Sequence, residues 1–484
     1  MAGETRGSPE RLYGHKTKIV CTLGPSTSDI ETVRRMALAG MDVARLNSGH
    51  CDLDDIRRYR DLVVRAGEAA GKRIGIILDL QGPRVRVGSI QGSSTELKTG
   101  QQFVLTTEQK RGDSSRVSVS HGGLPGDLKP GDLVLIDDGL IRMRVARIDG
   151  AEVQCEVIEG GRLLQGKGMN FPGAGLSLPV LTERDRRHLK AGLEASVDWI
   201  SQSFVRGPED VEILKKEIAD LGYSVPVMAK IEKREAVQRI DEIFKVADAV
   251  MVARGDLGVE MEAEEVPMVQ KALIRKALRE ARPGVTATQM LESMVEKPRP
   301  TRAEASDVAN AILDGTDALM LSAETAVGMY PVEAVMFIAR IAARTEQTLD
   351  YQAMIEESSH WRHRTSADAI GYSACRIAED MDARAVVTIT RSGYTAKLIA
   401  RYRPRQPVLA VSPSPEVLGT MKVVWGVSTV EVGLADDLVQ AIRDASTACR
   451  DAGFVRAGDL IVVTGGLLDE EVGTTNMVHV HTVE

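Results

Sequence analysis

Residues 225–254 read VPVMAKIEKREAVQRIDEIFKVADAVMVAR. Two short runs rich in Val, Met and Ala, VPVMAKIE (225–232) and DAVMVAR (248–254), flank a helical stretch. Each run starts apolar and ends polar. A strand, a helix and a second strand in this order give parallel neighbours, because a parallel pair needs a crossover. Six further runs have the same form: TKIVCTL (17–23), MDVARLN (41–47), IGIILDL (74–80), VDWISQSF (197–204), GVTATQM (284–290) and DALMLSAE (317–324). Amphipathic helices such as DIETVRRMALAG and AEEVPMVQKALIRKALREA separate most of them. Eight such units predict an α/β fold built on a closed (β/α)8 TIM barrel. An open doubly wound sheet is the alternative that this pattern alone leaves. Barrel enzymes carry their chemistry on the C-terminal rim, where these runs turn polar.

No barrel unit lies between Leu80 and Val197. Residues 87–170 instead hold short β-rich pieces, QQFVLTT, SRVSVS, DLVLIDDGLIRMRVARI and AEVQCEVI, separated by the turn signals KPGD and DGAE. They predict a small inserted β-barrel domain, placed where a lid belongs. After Glu346 the alternation restarts with ADAIGYSACRIAEDM, ARAVVTIT, TAKLIARYRP, QPVLAVSP and DLIVVTGG. The expected domains are the barrel at 1–86 and 171–346, the lid at 87–170 and a C-terminal α/β domain at 347–484.

A chain of 484 residues exceeds one ordinary core. The net charge is −8 and is spread without blocks, which argues against nucleic acid or an anionic membrane as main partner. The cysteines, Cys21, Cys51, Cys155, Cys375 and Cys449, form no CxxC pair and read as free thiols of a reducing compartment. The N-terminal stretch lacks the apolar core of a signal peptide, and no apolar run reaches the ~18 residues of a membrane span. A cytoplasmic protein is expected.

Lys230 and Glu232 in AKIEK lie two apart on a strand and share a face. As a fragment this reads equally as an ordinary ion pair. Asp256 in VARGDLGVE follows Gly255 at a turn whose N–H groups can meet an anion, although most such triplets are solvated turns. Together, Glu232 and Asp256 end adjacent strands and offer oxygen ligands to one Mg²⁺ or Mn²⁺. Lys230 then sets a positive charge beside whatever the metal holds. Such a site suits a phosphoryl group or an enolate. Thr288 and Ser322 end the seventh and eighth runs, as rim hydroxyls or as caps of the next helices.

The strings TKIVCTLGPST, MDVARLN, LDLQGP, QSFVR, AKIE, MVARGDLGVE, TATQMLESM, PRPTRAEASDVANAILDGTDALMLSAETAVGMYP and GTTNMVHV, in this order, resemble the pyruvate kinase family over nearly the whole chain. The resemblance implies a barrel, a β-rich lid after strand three and a C-terminal effector domain. It implies transfer of the phosphoryl group of phosphoenolpyruvate to ADP, giving pyruvate and ATP in glycolysis. Lys230 matches the position that stabilises the transition state. Glu232 and Asp256 match the metal carboxylates, and the N–H groups of Gly255 and Asp256 the receivers of the substrate carboxylate. Thr288, with Ser322 nearby, matches the side where the enolate is protonated. Arg45 and Arg86 match the phosphate clamp. Pro25, Asn47, His50, Arg86 and Lys167 match nucleotide-side positions. Thr390, Arg391, Ser392 and Thr395 in TRSGYTA match an effector loop for a phosphorylated small molecule. The acidic Asp469, Glu470 and Glu471 favour a monophosphate there over a bisphosphate. The family is usually a homotetramer.

One region departs from the family pattern. VARLNSGHC (43–51) has Ser48 where the family has phenylalanine and Gly49 where it has the K⁺-binding serine. LDLQGPRVRVG has Leu80 in a threonine position and Arg84 where K⁺-dependent members carry glutamate. Asn47, Asp79 and Leu80 mark the monovalent-cation region. The fixed charge of Arg84 there implies an enzyme that does not require K⁺. Two rival readings are another Mg²⁺-dependent barrel acting on pyruvate enolate, an aldolase or lyase, and a binding protein with a dead site. The second predicts loss of Lys230, Glu232, Asp256 or Thr288, and all four are present.

Overall fold

The computed structural model describes residues 14–359, 361, 365–433, 437–466 and 475–484. Eight parallel strands form the centre: β1 (Lys18–Thr22), β2 (Val43–Asn47), β3 (Gly75–Leu80), β4 (Trp199–Gln202), β5 (Val227–Ile231), β6 (Ala249–Ala253), β7 (Gly284–Ala287) and β8 (Ala318–Leu321). Each pairs with its sequence neighbour, and β8 closes on β1 with Lys18 opposite Ala318. That closure decides for the barrel and against the open sheet.

The period-two alternation of a strand explains how the barrel carries polar groups at one end. Val43, Ile77, Trp199 and Met228 share one buried cluster. Two residues further along the same faces stand Arg45, Asp79, Ser201 and Lys230, all buried. The other face is mostly apolar and packs under the surrounding helices, as Ile76 and Leu78 do with Ile56, Val63 and Leu189. One face of each strand is therefore an apolar floor capped by a polar layer.

The inserted domain holds a mostly antiparallel seven-stranded sheet over its own core of Phe103, Leu105, Met143, Val153 and Phe171. Val85–Arg86 and Gly168–Asn170 pair within this sheet, so its two connections to the barrel run side by side.

The C-terminal sheet has the order β11-β10-β9-β12-β13, with β9 (Ala385–Ile389), β10 (Val408–Ser412), β11 (Val427–Glu431), β12 (Leu460–Gly465) and β13 (Met477–Thr482). Only β13 runs antiparallel. The domain seals the end of the barrel opposite the polar rim. Trp199 Nε1 donates to Thr420 O at 3.1 Å. Lys18 Nζ donates to Val427 O at 2.5 Å. Arg403, 2% exposed, pairs with Asp317 at 3.1 Å. All five cysteines are buried free thiols. No helix among the described residues is long and apolar enough to cross a membrane. Asp469, Glu470 and Glu471 lie outside the described residues.

Candidate active site

The polar layer converges on Lys230. Its Nζ lies 2.9 Å from Glu232 Oε1 and 3.4 Å from Asp79 Oδ2, and donates to Ser203 Oγ at 2.8 Å. Asp79 also takes two bonds from Arg45, Nε at 2.8 Å and Nη2 at 2.5 Å, while Arg45 Nη1 reaches Thr22 Oγ1 at 3.0 Å. Burial works against the charge on Lys230, yet Asp79 and Glu232 outweigh it and hold the ammonium above its ordinary range. Burial likewise opposes ionisation of Asp79, and Lys230 with Arg45 brings its carboxyl below the usual range. For Glu232 burial prevails over Lys230, with Asp256 adding to it, and the carboxyl is pushed up. An oxygen of this kind gains from a cation.

Glu232 Oε2 accepts the Phe204 N–H at 2.7 Å, while Oε1 faces the Lys230 ammonium at 2.9 Å. Asp256 stands in the first turn of the helix Arg254–Glu260. Arg-Gly-Asp is therefore a helix start and not a solvated turn, and the free N–H groups of a first turn favour anions. Among the described residues no three His, Cys, Asp or Glu side chains cluster as a metal cage. Two carboxylates, one of them a Glu232 whose ionisation burial opposes, fit Mg²⁺, which keeps waters and takes substrate phosphate oxygens as its other ligands.

Thr288 has φ +68° and Gln289 +55°. A β-branched residue in the left-handed region costs about 1–3 kcal/mol and persists only when its surroundings hold it. Arg254 does so, donating to Thr288 O at 2.7 Å and Gln289 O at 3.1 Å while pairing with Asp307 at 2.6 Å. Thr288 Oγ1 accepts the Gly255 N–H at 2.8 Å and donates to Ala287 O at 2.6 Å. The Gly255 N–H, expected to await a substrate carboxylate, is thus already engaged. Neither rim hydroxyl caps the helix that follows it in sequence; Thr288 Oγ1 instead serves the first turn of the helix Arg254–Glu260. Ser322 precedes the helix Ala323–Ala326 without a side-chain bond to it, and its N–H goes to Glu324 Oε2 at 2.7 Å.

The family model of the pyruvate kinase barrel domain matches residues 14–335, and that of the pyruvate kinase alpha/beta domain matches 368–481. The chain belongs to the pyruvate kinase family. It is 43% identical over 474 residues to a pyruvate kinase of Geobacillus stearothermophilus, covering 97% of this chain and 80% of that protein. Relatives of Bacillus licheniformis and Staphylococcus aureus (strain MRSA252), both also pyruvate kinases, are 43% and 40% identical with the same coverage. A crystal structure of a pyruvate kinase from Cryptosporidium parvum superposes with a TM-score of 0.92 at 35% identity, covering 97% of this chain and 96% of that one. Membership in this family makes the chain a phosphotransferase.

The remaining expected residues of this pyruvate kinase family member fall into three groups. On the nucleotide side, Pro25 opens the short helix Pro25–Thr27 and His50 is exposed on the rim. Arg86 Nη1 donates to Gly166 O at 3.0 Å, and Lys167 pairs with Asp137 of the lid at 2.8 Å. Burial, Arg84 and Arg184 lower the pKa of Arg86, marking a cationic patch that an anion would relieve. In the monovalent-cation region Asp79 Oδ1 is buried without a hydrogen bond, while the other expected oxygens have internal partners. Leu80 O accepts Ser203 Oγ at 2.7 Å, Asn47 Oδ1 accepts the Gly49 N–H at 3.1 Å, and Ser48 Oγ accepts the Gln81 N–H at 2.9 Å. Arg84 Nη2 lies 3.2 Å from Asp256 Oδ1 and 3.4 Å from Asp138 of the lid.

In the effector loop, Thr390 Oγ1 accepts the Gly393 N–H at 2.9 Å and Thr395 Oγ1 meets Thr475 Oγ1 at 2.7 Å. Both threonines are buried, and only Arg391 and Ser392 face solvent. Sequence reasoning passed over Ser203, Phe204, Arg184 and Arg254. Ser203 and Phe204 lie inside the QSFVR string and Arg254 inside MVARGDLGVE, so a signal was there; Arg184, which donates to Ser48 O at 2.9 Å, sits in an unremarkable helix start.

Proposed function

We propose that this chain transfers the phosphoryl group of phosphoenolpyruvate to ADP, with the enolate protonated to pyruvate on the Thr288 side. The observation that carries this reading is the Lys230 ammonium, buried to 8% exposure yet held charged between Asp79 and Glu232. A phosphoryl group in flight spreads negative charge over its equatorial oxygens, and a preorganised cation at that point lowers the barrier. Glu232 and Asp256 would hold Mg²⁺ or Mn²⁺, which supplies Lewis-acid charge to the enolate and phosphoryl oxygens. Arg45 and Arg86 grip phosphate oxygens as planar forks. The N–H groups at the start of the Arg254 helix receive the substrate carboxylate, which competes with Thr288 Oγ1 for Gly255. Pro25, Asn47, His50 and Lys167 frame the nucleotide, and the lid excludes water from the transfer. ATP formation from phosphoenolpyruvate and ADP in a coupled assay is the expected result; none under Mg²⁺ would overturn the reading.

The enzyme is further proposed to work without K⁺. The internally bonded Leu80 carbonyl, the missing side chain of Gly49 and the Arg84 guanidinium on Asp256 all support this. Full activity is expected in buffer free of K⁺ and NH₄⁺. A large stimulation by KCl would count against it.

Arg391 and Ser392 are proposed to bind the phosphate of a monophosphorylated effector, with Thr390 and Thr395 shaping the loop. Titration with AMP, glucose 6-phosphate and fructose 1,6-bisphosphate should show activation by a monophosphate. Strong activation by the bisphosphate alone would reject this. A cytoplasmic homotetramer is the assembly and location that accompany this reading.

A further inference from the structure

The last strand of the chain, β13, forms one edge of the C-terminal sheet: β12 pairs with one side of it, and no described residue pairs with the other. Edge strands are ordinarily protected by charge, proline or a bulge. This one has none of them. Its six residues, MVHVHT, include no Lys, Arg, Asp, Glu or Pro, and they pair with β12 without a register shift, from Thr482 opposite Leu460 to Met477 opposite Gly465. The opposite edge, β11, is shorter and ends on Glu431. A regular, uncharged edge of this length is a template for a further strand.

Alternation sorts the side chains of β13 onto two faces. Met477 packs on the cluster of Ala441, Ala445 and Cys449, while Val478 packs on the opposite one, with Ala374 and Val462. His479 and His481 therefore project on the Met477 face, the side of the helix Leu438–Asp451. Their ring centres lie 6.0 Å apart. His479 is exposed and His481 half-buried, with Glu484 and Arg443, one charge of each sign, acting on the His481 ring. A zinc–imidazole bond of about 2.0–2.1 Å sets each ring centre about 3 Å from the ion, so two rings on one tetrahedral ion stand about 5 Å apart. The observed pair closes to that separation by side-chain rotation, with no movement of the strand.

We propose that His479 and His481 are half of a transition-metal site, completed by the same two residues of a second copy of this chain, and that it takes a divalent ion of the zinc, nickel or copper class. Imidazole nitrogen suits those ions, whereas Mg²⁺ and Ca²⁺ take oxygen. Within one chain the pair finds no third His, Cys, Asp or Glu ligand among the described residues. A second copy supplies the missing ligands. Two identical strands that pair antiparallel about a twofold axis place residues of equal parity opposite each other on one face. Centred on Val480, this pairing sets His479 against His481 of the second copy, twice over. Cross-strand neighbours stand about 4.5–5.5 Å apart at Cβ, so the four imidazoles surround one point. The ion staples two C-terminal domains together and shares no residue with the phosphoryl-transfer centre.

The test uses the full chain without a polyhistidine tag, stripped of transition metals and held in excess Mg²⁺ so that the rim carboxylates stay occupied. Zn²⁺ is then titrated by calorimetry. One Zn²⁺ per two chains should bind, with a Kd of about 10⁻⁶ M or below. His479→Gln should weaken binding by roughly a hundredfold, and His479→Gln combined with His481→Gln should abolish it, both with basal kinase activity unchanged. The single variant serves if the double one does not fold. Light scattering on dilution should show Zn²⁺ holding the unaltered chain together to lower concentration, and not the double variant. Absence of saturable Zn²⁺ binding would overturn the proposal. So would binding that survives in the double variant, or a stoichiometry of one ion per chain.

Discussion

Lys230→Met should lower kcat by roughly 10³–10⁵-fold, the range that one cation aimed at a phosphoryl group in flight commands. Methionine keeps most of the length and packing of the lysine stem and removes only the charge. The affinity for phosphoenolpyruvate should change little, because Arg45 and the helix start at Arg254 remain. The split between kcat and KM is the informative readout, since an interaction made mainly in the transition state lowers kcat and kcat/KM together. Asp79 keeps both bonds from Arg45, so the polar layer retains a partner for it. Glu232 loses its nearest cation and becomes still easier to protonate, so added Mg²⁺ should restore folding stability but not rate. A fall of less than tenfold in kcat would remove Lys230 from the assigned role.

Asp317→Ala should be the most damaging substitution for stability. Asp317 Oδ1 accepts Arg403 Nη1 and the Trp425 N–H, both at 3.1 Å, and Oδ2 accepts the Gly284 N–H at 2.9 Å. The alanine leaves the Arg403 charge buried with the carbonyls of Ala400 and Gly315 and the Trp425 ring as partners, and no carboxylate. Breaking a buried pair from one side costs about 3–5 kcal/mol, because the surviving charge is uncompensated. Asp317→Asn keeps the hydrogen-bonding shape and should cost less. Urea unfolding followed by tryptophan fluorescence reads both variants, and Trp425 sits directly at the seam. A midpoint shift equivalent to less than about 1 kcal/mol for the alanine variant would show that Arg403 finds water or another carboxylate.

The barrel was legible because each strand announces itself twice, by its apolar start and by its polar end. VPVMAKIE and DAVMVAR carry both marks, and the (β/α)8 count follows from repeating them. Closure followed from the count of eight units; the register that closes the barrel did not, since nothing in Lys18 or Ala318 says that they face each other. Lys230, Glu232 and Asp256 could be placed on one rim from spacing alone. The bond from Thr288 to the Gly255 N–H could not, because it depends on a left-handed backbone that a threonine does not advertise. The loop at 390–396 shows the opposite failure. TRSGYTA looks like four free ligands, yet two of its hydroxyls serve the fold.

The floor of the barrel has a mechanical consequence. β4 is four residues long, about 13 Å at the usual rise, and straight from Trp199 to Gln202. At one end its indole is hooked to Thr420 of the C-terminal domain; just past the other, Ser203 holds Lys230 and the Leu80 carbonyl. No loop intervenes between those two attachments. A close-packed strand has little give, so the indole seated on the C-terminal domain and the hydroxyl that holds the Lys230 ammonium are set apart by a fixed length of chain.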